Sequence, residues 1–445
     1  MEELAEQIKQ IPQSHDDIIR QSMHQQAVIN LGTTGHVSNG KTTLTKNLTG
    51  VATQKSKEEL VRNMTIKLGY ANVKIYKCNS CEAPECYQPA QSHVMTYLCA
   101  ICNGPTELIT HISITDVPGH NSFMTTMLNG TCVMDYAMLV ESCVNTKMPA
   151  EQTIEHYKIT KEVGIPTVLV CLNKVDLMMK FKQKIPQIID ELRQFTGGAV
   201  PVIPVSGTMG CNIDVICEHL AKLAIPKKDL DSDFKMFVIR SFNVNHPNTK
   251  IMELKGGVLG GSLTRGIIRV GDNVLVFPGF VSKKPRQVEH EIEYSYMPLR
   301  CKVLSINSEK NNLQYAIPGG NVGVQLDLDP GMTYGDHLVG HLMFKEKDDM
   351  SHVKVYEAIK IKHKKLEGED HKIKKGDSVL INVNSNKIDC KVYKVSSDNV
   401  TLLLDKPICV EIGDKVTINI PLGSDAIHIY GYGEVVDGAE CNLMA

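Results

Sequence analysis

At 445 residues with 42% apolar side chains, the chain has room for roughly two to four domains of about 100–200 residues, each with its own core. A formal net charge of −2 excludes a wholly basic nucleic-acid binder, though not a local basic surface. No apolar run approaches the ~18 residues of a membrane helix, and the opening MEELAEQIKQIPQSHDD lacks the apolar core of a secretory leader, so a cytoplasmic protein with no membrane partner is expected.

Residues 1–26 are polar and charged and read as a frayed or helical tail. From Val28 the texture changes to apolar runs that end in glycine or polar loops, alternating with helix-like stretches. AVINLGTTG (27–35), HISITDVPG (111–119), YAMLVESCV (136–144), PTVLVCLNK (166–174) and AVPVIPVSG (199–207) read as buried strands. TTLTKNLTG, SFMTTMLNGTCV and EQTIEHYKITKEV read as helices between them. This alternation predicts a mostly parallel sheet covered by helices, whose ligands sit at the carboxyl ends of the strands. The predicted domain spans 27–228.

The first strand end carries GHVSNGKT (35–42), the G-x-x-x-x-G-K-[ST] pattern of a phosphate-cradling loop. Backbone N–H groups from Gly35 through Asn39, Gly40, Lys41, Thr42 and Thr43 are expected around the phosphates, aided by the following helix N-terminus. Lys41 reaches the β- and γ-phosphates and Thr42 binds Mg²⁺ in this reading. Next comes a cysteine cluster: five of the 14 cysteines lie between Cys78 and Cys102. Cys78–x₂–Cys81 and Cys99–x₂–Cys102 are separated by 17 residues, the spacing of a structural zinc site, with Cys86 to spare. The insert spans about 76–106. DVPGH follows a strand, so Asp116 is placed to hold Mg²⁺ through water and Gly119 to let backbone approach the γ-phosphate. NKVD supplies the base reader. Guanine offers two adjacent donors that one carboxylate, Asp176, accepts together, while Asn173 buttresses the loop and the Lys174 stem covers the base. In VSGT, the N–H groups of Ser206, Gly207 and Thr208 are placed to meet the guanine O6. All four motifs together predict GTP and GDP as ligands.

Beyond IPKKDLDSDFK (225–235) the helix period disappears and short alternating strands dominate. RVGDNVLV (269–276), KKGDSVLI (374–381) and EIGDKVTI (411–418) form a weak repeat, Gly-Asp before an alternating strand. Repeated hairpins without helices predict two β-barrels, 232–347 and 350–445, divided at KEKDDMSH. KVYEAIKIKHKKLEGEDHKIKK (354–375) is the most basic stretch. Its interspersed Glu and Asp favour a solvated loop over a nucleic-acid contact. The fold class is therefore an α/β P-loop GTPase domain followed by two β-barrels.

The motif order is similar to that of translational GTPases of the elongation-factor type. RNMTIKLGYANVKIY (62–76), VPGHNSFMTTMLNGTCVMDYAMLV (117–140) and LKGGVLGGSLTRGIIRVGD (254–272) resemble, more specifically, the gamma subunits of eukaryotic and archaeal initiation factor two. The likeness covers about residues 27–435. It implies GTP-dependent binding of initiator methionyl-tRNA and delivery to the small ribosomal subunit. The implied partners are alpha and beta subunits and GTPase-activating and exchange factors. It also implies roles for single residues. Thr65 matches the switch threonine that joins Mg²⁺ only beside a γ-phosphate, and His120 matches the histidine that orients the attacking water. LGYAN matches a segment near the tRNA acceptor end, which makes Tyr70 the candidate to stack on terminal nucleotides. The GTPase subunit of a sulfate-activating complex shares the domain plan, but the cysteine insert and GGVLGGS favour the initiation factor. IPLGSDAIHIYGYG (420–433) departs from the family by lacking two arginines and a tryptophan.

Overall fold

The computed structural model describes residues 14–54, 57–62, 64–120, 123–246, 248–285, 292–366, 370–422 and 426–444. The first sheet has seven strands: β1 (Ile29–Thr34), β2 (Gly69–Cys78), β3 (Tyr87–Gln91), β4 (Thr106–Asp116), β5 (Tyr136–Ser142), β6 (Thr167–Asn173) and β7 (Val202–Pro204). Their order is β3-β2-β4-β1-β5-β6-β7. β4, β1, β5, β6 and β7 run parallel, and every position of β1 is buried. β2 and β3 add an antiparallel edge, with Val73 opposite Ile112 and Gln91. Sequence patterning misses this edge because β2 buries the polar side chains of Asn72 and Lys74 among its apolar residues.

Among the described residues, seven helices precede or follow these strands: α1 (His15–Met23), α2 (Lys41–Thr49), α3 (Lys57–Arg62), α4 (Met124–Thr131), α5 (Glu151–Val163), α6 (Ile185–Phe195) and α7 (Ile213–Ala221). Among the described residues no helix is long and apolar enough to cross a membrane. α1 is docked, not frayed. The Ser14 hydroxyl accepts from Asp17 N–H, and Met23, Ile18 and Ile19 pack on the sheet's core. The Gln26 amide then donates to Ile317 O (2.7 Å) and accepts from Ile317 N–H (3.1 Å), tying the segment to the first barrel. Residues 1–13 of the predicted tail lie outside the described residues.

Strands Lys235–Phe242, Val258–Arg265, Asn273–Pro285, Ile292–Ser308, Val322–Leu326 and Leu342–Lys345 close on themselves through the pairing of 273–285 with 292–308. A second closed barrel is built from Val355–Lys365, Ser378–Val383, Asn386–Val395, Asn399–Cys409, Lys415–Leu422 and Ala426–Glu440. The basic stretch therefore does not begin as a solvated loop. Residues 355–365 are a strand whose Val355, Ile359 and Ile361 are buried while the lysines face outward. The three Gly-Asp repeats share one geometry. Gly271, Gly376 and Gly413 have φ of 93°, 94° and 93°, with nothing near a would-be Cβ, so backbone conformation alone requires glycine. In each, the aspartate accepts from the N–H three residues earlier: Asp272 from Arg269, Asp377 from Lys374 and Asp414 from Glu411.

The barrels are locked to each other and to the first sheet. Glu411 takes a bidentate ion pair from Arg265 and a 2.7 Å pair from Lys235. Asp336 of the first barrel binds Arg240 at 2.9 Å and Lys67 at 3.0 Å, and Lys67 lies just beyond Thr65. Asn382 of the second barrel donates to Thr125 O and Asn129 Oδ1 on α4.

Candidate nucleotide and metal sites

The phosphate loop leaves β1 and enters α2. Lys41, Thr42, Thr43, Gly40, Thr65, Gly119 and Lys174 line a cavity of about 250 Å³ at the strand ends. Lys41 is buried, and its ammonium donates to Gly35 O and His36 O at 2.9 Å each. Burial pushes its pKa down to about 8, against the pull of Asp116 and Glu141, so an arriving phosphate would strongly favour its charged form. A Cβ on Gly119 would fall 2.8 Å from Val37 N and 2.9 Å from Gly35 O, so this close backbone approach requires glycine.

Three sequence-predicted metal residues meet. Thr42 Oγ1 lies 2.9 Å from Thr65 Oγ1 and donates to Asp116 Oδ2 at 2.8 Å, and Thr65 reaches the same oxygen at 3.5 Å. Hard oxygen donors converging beside a phosphate loop fit Mg²⁺. Thr53, which carries no sequence signal, donates to the same carboxylate oxygen at 2.6 Å. Glu59 is another residue the sequence does not reveal. Its carboxylate accepts from Ile66 and Lys67 N–H, 3.1 Å each, and so shapes the backbone around Thr65.

Asn39 points away from the cavity. Its side chain is buried, donates to Val140 O at 2.9 Å and accepts from Asn145 at 3.1 Å, so only its backbone serves the loop. α5 grips the loop from behind. Gly35, His36 and Val37 N–H donate to His156 Nδ1, Thr153 Oγ1 and Gln152 Oε1. Burial foremost, with Lys41 nearby, holds His156 neutral at a pKa of about 3, and its accepting Nδ1 puts the proton on Nε2.

Asn173 joins the two loops that the sequence assigns to phosphate and base. Its amide donates to Asn39 O, and its Oδ1 accepts from Gly207 N–H, both at 2.9 Å. Lys174 follows in a left-handed conformation (φ 66°) and lines the same cavity. The Ser206 hydroxyl donates to Asp176 Oδ1 at 2.6 Å, fixing the carboxylate that would read guanine. Gly207 is buried and Thr208 exposed beside them. His120 adjoins Gly119 but does not line the cavity. Its half-buried ring tilts against Phe123 at 6.2 Å.

The four cysteine sulfurs of Cys78, Cys81, Cys99 and Cys102 lie within 4.8 Å of one another. Cys78–Cys102 and Cys81–Cys99 stand at 3.5 and 3.7 Å, close to the roughly 3.8 Å edge of a zinc–thiolate tetrahedron with ~2.3 Å bonds. N–H groups of Ser80 and Gly104 and the Gln88 amide point at Cys78, Cys102 and Cys99 sulfurs. Hydrogen bonds, foremost from the Cys102 backbone, hold the Cys99 thiol down at about 6. The buried Cys86 stays outside this group.

Tyr70, the candidate tRNA contact, leans against the first barrel. Its ring packs on an apolar cluster that includes Leu68, Met127, Phe237 and Ile239, and its hydroxyl is buried. Burial raises its pKa well above the usual tyrosine value. The residue as a whole is half-buried.

Residues 26–226 match the family described as Elongation factor Tu GTP binding domain, and residues 350–435 match Initiation factor eIF2 gamma, C terminal. The chain is similar to the eukaryotic translation initiation factor 2 subunit gamma of Encephalitozoon cuniculi, 37% identical over 424 residues and 94% of each chain. Its counterpart in Schizosaccharomyces pombe is 36% identical, over 93% of this chain and 94% of that one. The Drosophila melanogaster eukaryotic translation initiation factor 2 subunit 3 is 35% identical, over 93% and 89%. Among solved structures, a bacterial selenocysteine-specific elongation factor superposes with a TM-score of 0.65 at 22% identity. The match covers 92% of this chain and only 58% of that one. Elongation factor SelB of Methanococcus maripaludis, with a GTP analogue, gives 0.63 at 21% identity, over 92% and 79%. These two likenesses concern the fold.

Proposed function

The chain belongs to the gamma subunits of eukaryotic translation initiation factor 2 and is a translational GTPase, and on that premise we propose that it binds initiator methionyl-tRNA in its GTP state. In this reading it delivers the tRNA to the small ribosomal subunit in the cytoplasm as the core of a heterotrimer with alpha and beta subunits. The GTP-binding unit is 27–228, and the barrels are 232–347 and 350–445. The observation that carries the proposal is the meeting of Thr42, Thr65 and Asp116 beside Lys41, because Thr65 belongs to a segment that also touches the first barrel through Lys67. A change at the phosphate thus has a physical route to a barrel.

Thr42 and Thr65, with Asp116 behind them through water, would hold Mg²⁺, which supplies charge neutralisation at the β- and γ-phosphates. Lys41 exchanges its two carbonyl partners for phosphate oxygens. Asp176, held by Ser206, accepts from the guanine ring, and the Ser206–Thr208 N–H groups face its O6. His120 orients the attacking water after rotating off Phe123. Neither exposed Ser38 nor Asn39, which is turned toward Val140, supplies a proton acceptor, so the free chain hydrolyses GTP slowly and an activating partner on the ribosome accelerates it. An exchange factor then restores GTP. Cys78, Cys81, Cys99 and Cys102 hold a structural Zn²⁺.

The test measures initiator methionyl-tRNA capture by the heterotrimer loaded with GTP or GDP, and single-turnover GTP hydrolysis with and without the small-subunit initiation complex. Capture only with GTP and hydrolysis only in the complex are expected. Equal capture in both states, or fast hydrolysis by the free chain, would overturn the reading.

A further inference from the structure

Asp116 Oδ2 collects hydroxyls from three parts of the chain. Thr42 comes from the first turn of α2 at 2.8 Å, Thr53 from the stretch after α2 at 2.6 Å, and Thr65 from beyond α3 at 3.5 Å. The Thr53 contact is the shortest, and its side chain is only 6% exposed. Gly69, at the start of β2, makes room for it. A Cβ there would come within 2.6 Å of Thr53 Cβ, and the Gly69 backbone is not in the left-handed region, so the glycine answers a steric demand. A hydroxyl that ligates a metal gives it a lone pair and keeps its O–H, so Thr42 serves Mg²⁺ and the carboxylate together, whereas Thr53 serves the carboxylate alone.

We propose that Thr53 is a positioning residue for magnesium-coupled nucleotide retention, its hydroxyl fixing the Asp116 carboxylate in the GTP and GDP states alike. The proposal rests on the magnesium reading above and extends it. Thr65 pins the downstream side of the switch segment only while a γ-phosphate is present. Thr53 holds the carboxylate whichever nucleotide is bound. Asp116 must present one oxygen to a metal-bound water. Without Thr53 its carboxylate rotates more freely, and metal and nucleotide both leave sooner.

The experiment follows dissociation of fluorescent GTP and GDP analogues from the full chain over a magnesium titration. Thr53→Val keeps the volume and removes the donor, and Thr53→Ser keeps the donor. Thr53→Val is expected to raise the magnesium needed for half-maximal retention roughly tenfold for both nucleotides, the scale of one hydrogen bond to a carboxylate. Thr53→Ser should stay within about twofold of wild type, and Thr65→Ala should shift GTP alone. If Thr53→Val fails to fold, Thr53→Ala, which also removes the donor, takes its place and should give the same shift. Equal impairment by valine and serine would assign the effect to packing and overturn the proposal, as would a valine effect confined to GTP. Magnesium-dependent retention in wild type with an unaffected valine variant overturns the Thr53 role alone. Retention in wild type that ignores magnesium overturns the metal reading with it.

Discussion

Replacing Asn173 with alanine tests whether one side chain holds the nucleotide site together. Its amide and carbonyl span two loops, binding Asn39 O and Gly207 N–H at 2.9 Å, both in buried surroundings. Truncation strands one acceptor and one donor. Each costs about 1–3 kcal/mol when left unpaired, giving about 2–6 kcal/mol before any repair. The removed carboxamide leaves polar room beside the nucleotide cavity, so a bridging water recovers part, and about 2–4 kcal/mol remains. Loops that keep their shape without nucleotide express this as lost stability. Loops that relax express it as nucleotide affinity weakened about 30- to 1000-fold. Urea unfolding with saturating GDP captures the sum, and calorimetric GDP titration apportions it. Guanine-over-xanthine preference should stay unchanged, because Asp176 and its Ser206 donor are untouched. A total loss below about 0.5 kcal/mol, or an altered base preference, would refute the account.

Asp176→Asn turns an acceptor into a donor, so binding should move from guanine to xanthine nucleotides by about 10²-fold or more. Competition calorimetry with both would expose an unchanged preference. Purified chain should carry about one zinc by metal analysis, and Cys99→Ser should release it and lower the melting temperature. A metal-free wild type with the same melting point would remove the site. Burial works to raise the Glu411 pKa, but Arg265 and Lys235 win and hold it at about 2, from a usual 4.5. The folded value lies below the unfolded one, so its stabilisation is complete above about pH 5 and lost as pH falls toward 2. The gap in unfolding free energy between wild type and Glu411→Gln, about 3 kcal/mol at pH 7, should therefore shrink by pH 3, and a gap that persists at pH 3 would contradict the ion-pair account.

The three Gly-Asp turns were fully legible, because φ near 93° with open space around the residue is a demand of the local backbone, and the aspartate next to it closes the turn onto the N–H three residues back. The parallel strands were legible for a related reason: strands buried on both faces read as continuous apolar runs. The antiparallel edge was not, since buried Lys74 and Asn72 look like surface residues until their partners are seen. Lys74 donates to Val94 O at 2.7 Å, and the Asn72 side-chain amide donates to Ser308 Oγ of the first barrel at 3.4 Å. Charge misled at residues 355–365, where lysines alternate with buried aliphatics of a strand.

The sequence by itself determined which groups could touch phosphate, metal and base, because those motifs place short-range chemistry at the ends of strands that local pattern reveals. Which groups hold those motifs in place was decided only by tertiary structure. Thr53 meets Asp116 across 63 positions and His156 meets Gly35 across 121. Tyr70, beside the switch, packs against a cluster that includes Phe237 and Ile239 from a different domain. A hydrogen bond or a burial between residues so far apart leaves no periodicity in either segment. It exists only once the sheet and the barrels have packed.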